Sequence, residues 1–87
     1  MSKNYTLKEL QRARRTELYD FVLNKHAEVV KRKGSTLVLK EEHYVKVRKG
    51  YYGYIDYQSG ERGNSIDFLT KYLEYKFEEA VEALLHI

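Results

Sequence analysis

The chain has 87 residues, with 16 Lys and Arg against 13 Asp and Glu, nine Tyr and no Cys. This length fits a single domain over residues 1–87, and the lack of Cys excludes disulfides and thiolate zinc sites. No run of 18 apolar residues occurs, and the first five residues lack the apolar stretch of a signal peptide. We therefore expect a cytoplasmic protein without a membrane partner.

Charge is distributed unevenly along the chain. Residues 1–49 hold 13 Lys and Arg against 6 Asp and Glu, a balance of +7, whereas residues 50–87 hold 3 against 7, a balance of −4. A basic region commonly contacts polyanions such as nucleic acids. The alternative that stays open is a plain solvated surface with uneven charge.

The first predicted elements are helical. Thr6 and Glu9 fit a capping box, and apolar residues at helical spacing follow them. The apolar stripe loses phase before Thr16, which fits a second N-cap. The pattern therefore predicts one N-terminal helix, or two helices over residues 7–14 and 16–25.

Two hairpins are predicted next. Apolar and β-branched residues flank the two-residue turn Gly34-Ser35, which is typical of a β-hairpin over residues 29–40. Residues 44–48 then alternate with period two, and a tyrosine-rich run over residues 51–57 follows Gly50. We expect Gly60 to turn the chain out of the sheet.

Two helices close the chain. Asn64 or Ser65 fits the N-cap of the first, and Phe77, Ala80 and Leu84 fall on one face of the second. The predicted fold is α+β, with an antiparallel sheet of about four strands and the C-terminal helices packed on one sheet face.

The sheet also carries the candidate binding residues. If Val45 and Val47 face the helices, Lys46 and Arg48 share the opposite face, and Tyr rings beside them would form a platform for single-stranded nucleic acid. The alternative is that tyrosine is a common strand residue and that this surface binds nothing. The predicted nucleic-acid-binding residues are Lys31, Lys33, Lys40, Tyr44, Lys46, Arg48, Lys49, Tyr52, Tyr54 and Arg62. Tyr51, Ile55 and Tyr57, at alternate positions, are expected in the core.

The C-terminal half resembles a known family. Residues 60–64 read Gly-Glu-Arg-Gly-Asn, Ile-Asp-Phe follows at residues 66–68, and a helix rich in Ala, Val and Glu closes the chain. This order resembles the zinc-ribbon domain that opens bacterial DNA primases, over about residues 16–85. It is more similar to the degenerate forms that precede Toprim modules in primase-like proteins of plasmids, phages and conjugative elements, although Arg62 replaces their usual small residue.

The resemblance implies zinc ligands that this chain lacks. The first family cysteine would fall near Leu39 or Lys40, the zinc-binding histidine near His43, and the paired cysteines at Asp56 and Ser59. A structural zinc site needs about four protein ligands. We therefore expect a zinc-ribbon-like domain without zinc or any other cofactor.

The function expected from the residues and the resemblance together is non-enzymatic. No Toprim module follows in this sequence, so the catalytic acidic residues of a primase are absent, and the chain is either a free-standing protein or an excised domain. The first hypothesis is an accessory domain of a phage or mobile element that binds single-stranded DNA, or RNA. The second is a module that docks on a replication protein or inhibits a host nucleic-acid enzyme. A metal-bound enzyme fragment is the third.

Overall fold

The computed structural model describes residues 4–86, so the predicted domain limits at residues 1 and 87 lie outside it. Within this range the predicted α+β fold is confirmed. The elements in chain order are α1 (Leu7–Arg14), α2 (Tyr19–Lys25), a 3-10 turn (Ala27–Val29), β1 (Val30–Lys33), β2 (Thr36–Leu39), β3 (Val45–Arg48), β4 (Tyr54–Asp56), β5 (Arg62–Gly63), α3 (Ser65–Tyr72) and α4 (Phe77–Leu85).

The strands form one antiparallel sheet in the order β1-β2-β3-β4-β5. This is one strand more than predicted from the sequence. The fifth strand has two residues, and it pairs Arg62 with Ile55 and Gly63 with Tyr54. A strand of two residues, one of them glycine, shows no period-two alternation in the sequence, so it was not predicted. The chain was expected to leave the sheet at Gly60, but it pairs with the sheet again at residues 62 and 63.

The N-terminal helices follow the predicted division with one change. The capping box of α1 is present, with the Glu9 N–H donating to the Thr6 hydroxyl over 3.1 Å and the Thr6 N–H to the Glu9 carboxylate over 3.0 Å. Thr16 does not cap α2, which begins at Tyr19 after Leu18. Its hydroxyl instead donates to the Arg12 carbonyl over 2.9 Å, closing the end of α1.

The core lies between the helices and one sheet face. Strand residues alternate across a pleated sheet, and every second one points to this side. Phe68 and Leu69 of α3 and Val81 and Leu84 of α4 are buried there. The strand residues in the same cluster are Val30, Leu37, Leu39, Val45, Val47 and Tyr54. The helices therefore leave the other sheet face uncovered.

One buried hydroxyl joins three segments where the sheet meets the helices. Ser65, the first residue of α3, is fully buried. Its hydroxyl accepts the Gly53 N–H over 3.0 Å and donates to the Thr16 carbonyl. An isolated antiparallel bridge between Glu17 and Tyr52 adjoins this junction. The α1–α2 connection, the turn before β4 and the start of α3 are thereby held together.

A membrane-spanning helix is not found in residues 4–86, because no helix there combines sufficient length with sufficient apolar content.

Candidate nucleic-acid interface

The sheet face away from the helices is basic. The register Lys31–Val38–Lys46–Ile55–Arg62 runs straight across all five strands. Adjacent strands are about 4.8 Å apart, so along this row the Cα atoms of Lys31 and Lys46, and of Lys46 and Arg62, lie about 10 Å apart. We call this surface the open face and define it by the strand and strand-end residues Lys31, Lys33, Thr36, Val38, Lys40, Lys46, Arg48, Ile55, Tyr57 and Arg62.

Among residues 4–86, the cations of the open face have no carboxylate partners. Lys33 and Arg48 flank Thr36 in the neighbouring row, and Lys40 continues β2 at its end. In residues 4–86, none of the six cations takes part in an ion pair, and no Asp or Glu occupies a strand position of this face. Unpaired like charges at this spacing produce a positive potential that attracts an anionic chain.

Val38 is an apolar residue of the open face that is shielded from water although no helix covers this face. Its side chain is only 3% exposed although it is separate from the core cluster. Its cross-strand neighbours are Lys31 and Lys46. Long basic side chains cover apolar surface with their methylene stems while the charge stays in water. The arrangement keeps the ammonium groups available to a ligand.

Exposed tyrosine rings lie beneath two of the cations. Lys46 Nζ is 4.9 Å from the ring centre of Tyr57, and Arg48 Cζ is 5.0 Å from that of Tyr51. These rings are 55% and 61% exposed, and Tyr52 is 53% exposed. The expectation that Tyr51 and Tyr57 lie in the core is therefore wrong, and the expected core residue Ile55 is half-buried on the open face.

The register explains these errors. Lys46 pairs with Ile55, and Val45 pairs with Asp56, so Ile55 and Tyr57 fall on the side of Lys46. Gly50 and Gly53 both have positive φ, 85° and 72°, and they interrupt the strand alternation between β3 and β4. The sheet face on which each tyrosine of residues 51–57 lies therefore cannot be predicted by continuing the strand alternation beyond Arg48.

Tyr54 was predicted to lie on the open face with the binding residues, but it lies in the core. It is 4% exposed, and its ring centre is 5.2 Å from that of Tyr72 and 5.9 Å from that of Phe68. The ring crosses β5 at Gly63, where an added Cβ would lie 2.2 Å from Tyr54 Cε1. Burial raises the pKa of Tyr54 and of Tyr72, because the charged phenolate loses its hydration there.

Two further predicted residues point elsewhere. Tyr44 is half-buried and packs against the core, so its ring is not freely available. Lys49 extends towards the helices, with its Nζ 5.6 Å from the ring centre of Tyr19 in α2. Tyr44 was expected to share the face of Lys46 and Arg48, but it precedes β3, and Lys49 follows β3, so strand alternation does not fix the side of either residue.

A groove lies where the open face meets the start of α3. It has a volume of about 560 Å³, and Arg48, Tyr52 and Arg62 are among the residues that line it. The predicted residues Lys46 and Tyr54 also border it, as does Tyr51, which was expected in the core. The complete lining is Lys46, Arg48, Tyr51, Tyr52, Gly53, Tyr54, Ile55, Arg62, Gly63, Asn64 and Asp67.

The positions where the resemblance places zinc ligands lie towards the opposite end of the strands. His43 precedes β3 and is exposed, while Asp56 ends β4 and is buried. The Asp56 carboxylate accepts the N–H groups of Gln58 and Ser59 over 2.9 and 3.1 Å, which fixes the turn. Within residues 4–86, no group of three His, Cys, Asp or Glu side chains is arranged to hold a metal ion.

Comparison of the chain with protein-family models, with curated proteins and with solved structures found no match.

Proposed function

We propose that this protein binds single-stranded nucleic acid, DNA in the first instance, on the open face. The observation that carries the proposal is the straight row Lys31, Lys46 and Arg62 across the sheet, accompanied by exposed rings. Regularly spaced cations suit the phosphates of an extended strand, and ring faces suit its bases.

The exposed rings favour a single strand over a duplex. Stacking on Tyr51 or Tyr57 needs an unpaired base with a free face, whereas the bases of a duplex already stack on one another. Base–tyrosine stacking contributes about 1–3 kcal/mol per base. The wide, uncovered sheet face also differs from a helix or two-stranded ribbon that enters a major groove.

The biological setting follows from the resemblance stated above. We propose a non-enzymatic accessory domain of a phage or mobile element that acts in DNA replication in the cytoplasm. The zinc ribbon that it resembles contacts template DNA, and the open face would perform the corresponding contact without metal.

The test is fluorescence anisotropy of a labelled dT12 strand at 50 and 200 mM salt, against duplex of the same length. We expect a preference for the single strand and a log–log salt slope of about −0.7 per phosphate, near −3 for four contacts. Lys46→Gln with Arg48→Gln should weaken binding about tenfold or more, because two cations are lost, while the Lys31 stem and the two methylenes that glutamine keeps at position 46 still cover Val38.

The matched control is Lys8→Gln with Lys25→Gln, which removes the same charge from exposed helix positions. Equal weakening by both pairs would mean that net charge rather than the open face governs binding. No binding of wild type at low salt would reject the proposal and favour the alternative of a protein-docking module.

A further inference from the structure

The groove at the end of the open face carries one negative charge among several positive ones. Of the eleven described residues that line it, Asp67 alone has a carboxylate, whereas Lys46, Arg48 and Arg62 are cationic. A site that served phosphates only would be weakened by this carboxylate, because like charges repel at short range. The residue therefore needs a separate explanation.

Helix capping accounts for part of the role of Asp67. Its Oδ2 accepts the Asn64 N–H over 3.2 Å, while the Asn64 side chain accepts the Asp67 N–H over 2.9 Å. These bonds fix the orientation of the carboxylate. Asp67 is exposed, and within residues 4–86 no protein group donates a hydrogen bond to its second oxygen, Oδ1, which therefore faces solvent. The Lys71 ammonium one turn later pairs with Glu61 over 3.5 Å.

An oriented carboxylate with an unused oxygen beside exposed rings can recognise the edge of a base. Asp and Glu accept hydrogen bonds from base N–H groups, and unpaired bases expose their Watson–Crick edges. Guanine presents two adjacent donors, N1–H and the N2 amino group. They match Oδ1 of Asp67 and the second lone pair of Oδ2, whose first lone pair accepts the Asn64 N–H. Thymine presents a single N–H between two carbonyl oxygens, which the carboxylate repels.

We infer that the groove selects guanine within the bound single strand and that Asp67 is its specificity-determining residue. The inference rests on the proposed function, since the open face must first hold the strand. The base stacks against Tyr51 or Tyr52, its donors meet Asp67, and the neighbouring phosphates lie along Arg48 and Arg62.

The experiment compares dT12 with the same strand carrying one central dG or one central deoxyinosine, by competition against labelled dT12. Wild type should prefer the dG strand over dT12 on the order of tenfold, the range of one good bidentate contact. Deoxyinosine lacks the N2 amino group and should fall between them. Asp67→Asn keeps an oxygen for the Asn64 N–H but replaces the other with a donor, so it should abolish the preference.

The matched control is Asp20→Asn, which removes the same charge from an exposed position in the first turn of α2 and should retain the preference. If Asp67→Asn is unstable, the deoxyinosine comparison on wild type tests the same hydrogen bond. Equal, salt-sensitive binding of the dG and dT strands would overturn guanine selection while strand binding stands. A preference that persists in Asp67→Asn would overturn the role of Asp67. If no strand binds at low salt, the proposed function fails and the inference with it.

Discussion

The two faces of the sheet are built from the same strands yet have opposite chemistry. The core face carries Val45, Val47 and Tyr54 beneath the helices, whereas the open face carries Lys46, Arg48 and Ile55 from the same two strands. Alternation of side chains across a strand is what allows this separation. The comparison indicates that the side chains that pack the core and the cations proposed to bind nucleic acid lie on opposite faces, so the core can be altered separately from the cations.

The tyrosines show the contrast most directly. Tyr54 and Tyr57 are three positions apart, but Tyr54 is 4% exposed against Phe68 and Tyr72, while Tyr57 is 55% exposed beneath Lys46. One ring holds the helices to the sheet, and the other presents a face to solvent. Residue type alone therefore does not decide which tyrosine stabilises the fold.

The largest expected effect comes from exchanging these two rings for Ala. Tyr54→Ala should lower the free energy of unfolding by about 3–5 kcal/mol, because it leaves a cavity between β5 and α3. Tyr57→Ala should lower it by less than about 1 kcal/mol but weaken single-strand binding about five-fold or more through lost stacking. Urea unfolding and anisotropy measure the two effects.

Tyr57→Phe is the control for the binding effect, since it keeps the ring face and removes only the hydroxyl. The separation of the two sheet faces would be contradicted if Tyr57→Ala unfolded the protein as readily as Tyr54→Ala. It would also be contradicted if Tyr57→Ala bound dT12 as tightly as wild type.

A second pair of substitutions tests the turn that interrupts alternation between the faces. A Cβ at Gly53 would lie 2.0 Å from the Gly63 carbonyl oxygen, whereas a Cβ at Gly50 would have no atom of the described residues within 4 Å apart from its chain neighbours. Both residues have positive φ. Gly53→Ala should cost about 2–4 kcal/mol, from strain and backbone clash together, and Gly50→Ala only about 1–2 kcal/mol from strain. The melting temperatures of the two variants measure this difference. Equal melting temperatures would refute the close approach of Gly53 to the Gly63 carbonyl oxygen.

The smallest expected effect is a pH dependence of the core face. The pKa values of Tyr54 and Tyr72 are raised in the folded protein, with burial as the main cause. Folding therefore favours the neutral phenols: the benefit is complete below their unfolded pKa near 10 and is lost as pH rises through the folded values. The free energy of unfolding should fall above about pH 10, and less steeply in Tyr54→Phe, which keeps the ring. Urea titrations from pH 8 to 11 measure the slope, and an identical slope in both proteins would exclude Tyr54 as a contributor.

Much of the candidate site could be predicted because β3 is a regular strand. Lys46 and Arg48 follow from the buried valines beside them, and Lys31 and Arg62 join the same row through the register. Tyr51 and Tyr57 could not be placed, because two glycines with positive φ lie between β3 and β4. Asp67 could be recognised as a first-turn carboxylate, but its place in a cationic groove depends on where β5 lies.

The sequence by itself determined the elements that rest on local chemistry: the Thr6 capping box, the start of α3 at Asn64 or Ser65, the Gly34-Ser35 turn, the alternation of β3 and the helical spacing of α4. Only the tertiary structure decided which side of the sheet each tyrosine occupies, that residues 62 and 63 form a fifth strand, and that six cations share one uncovered face. The physical reason is that caps and periodicity involve neighbours along the chain, whereas sidedness depends on register and on which surface the helices cover.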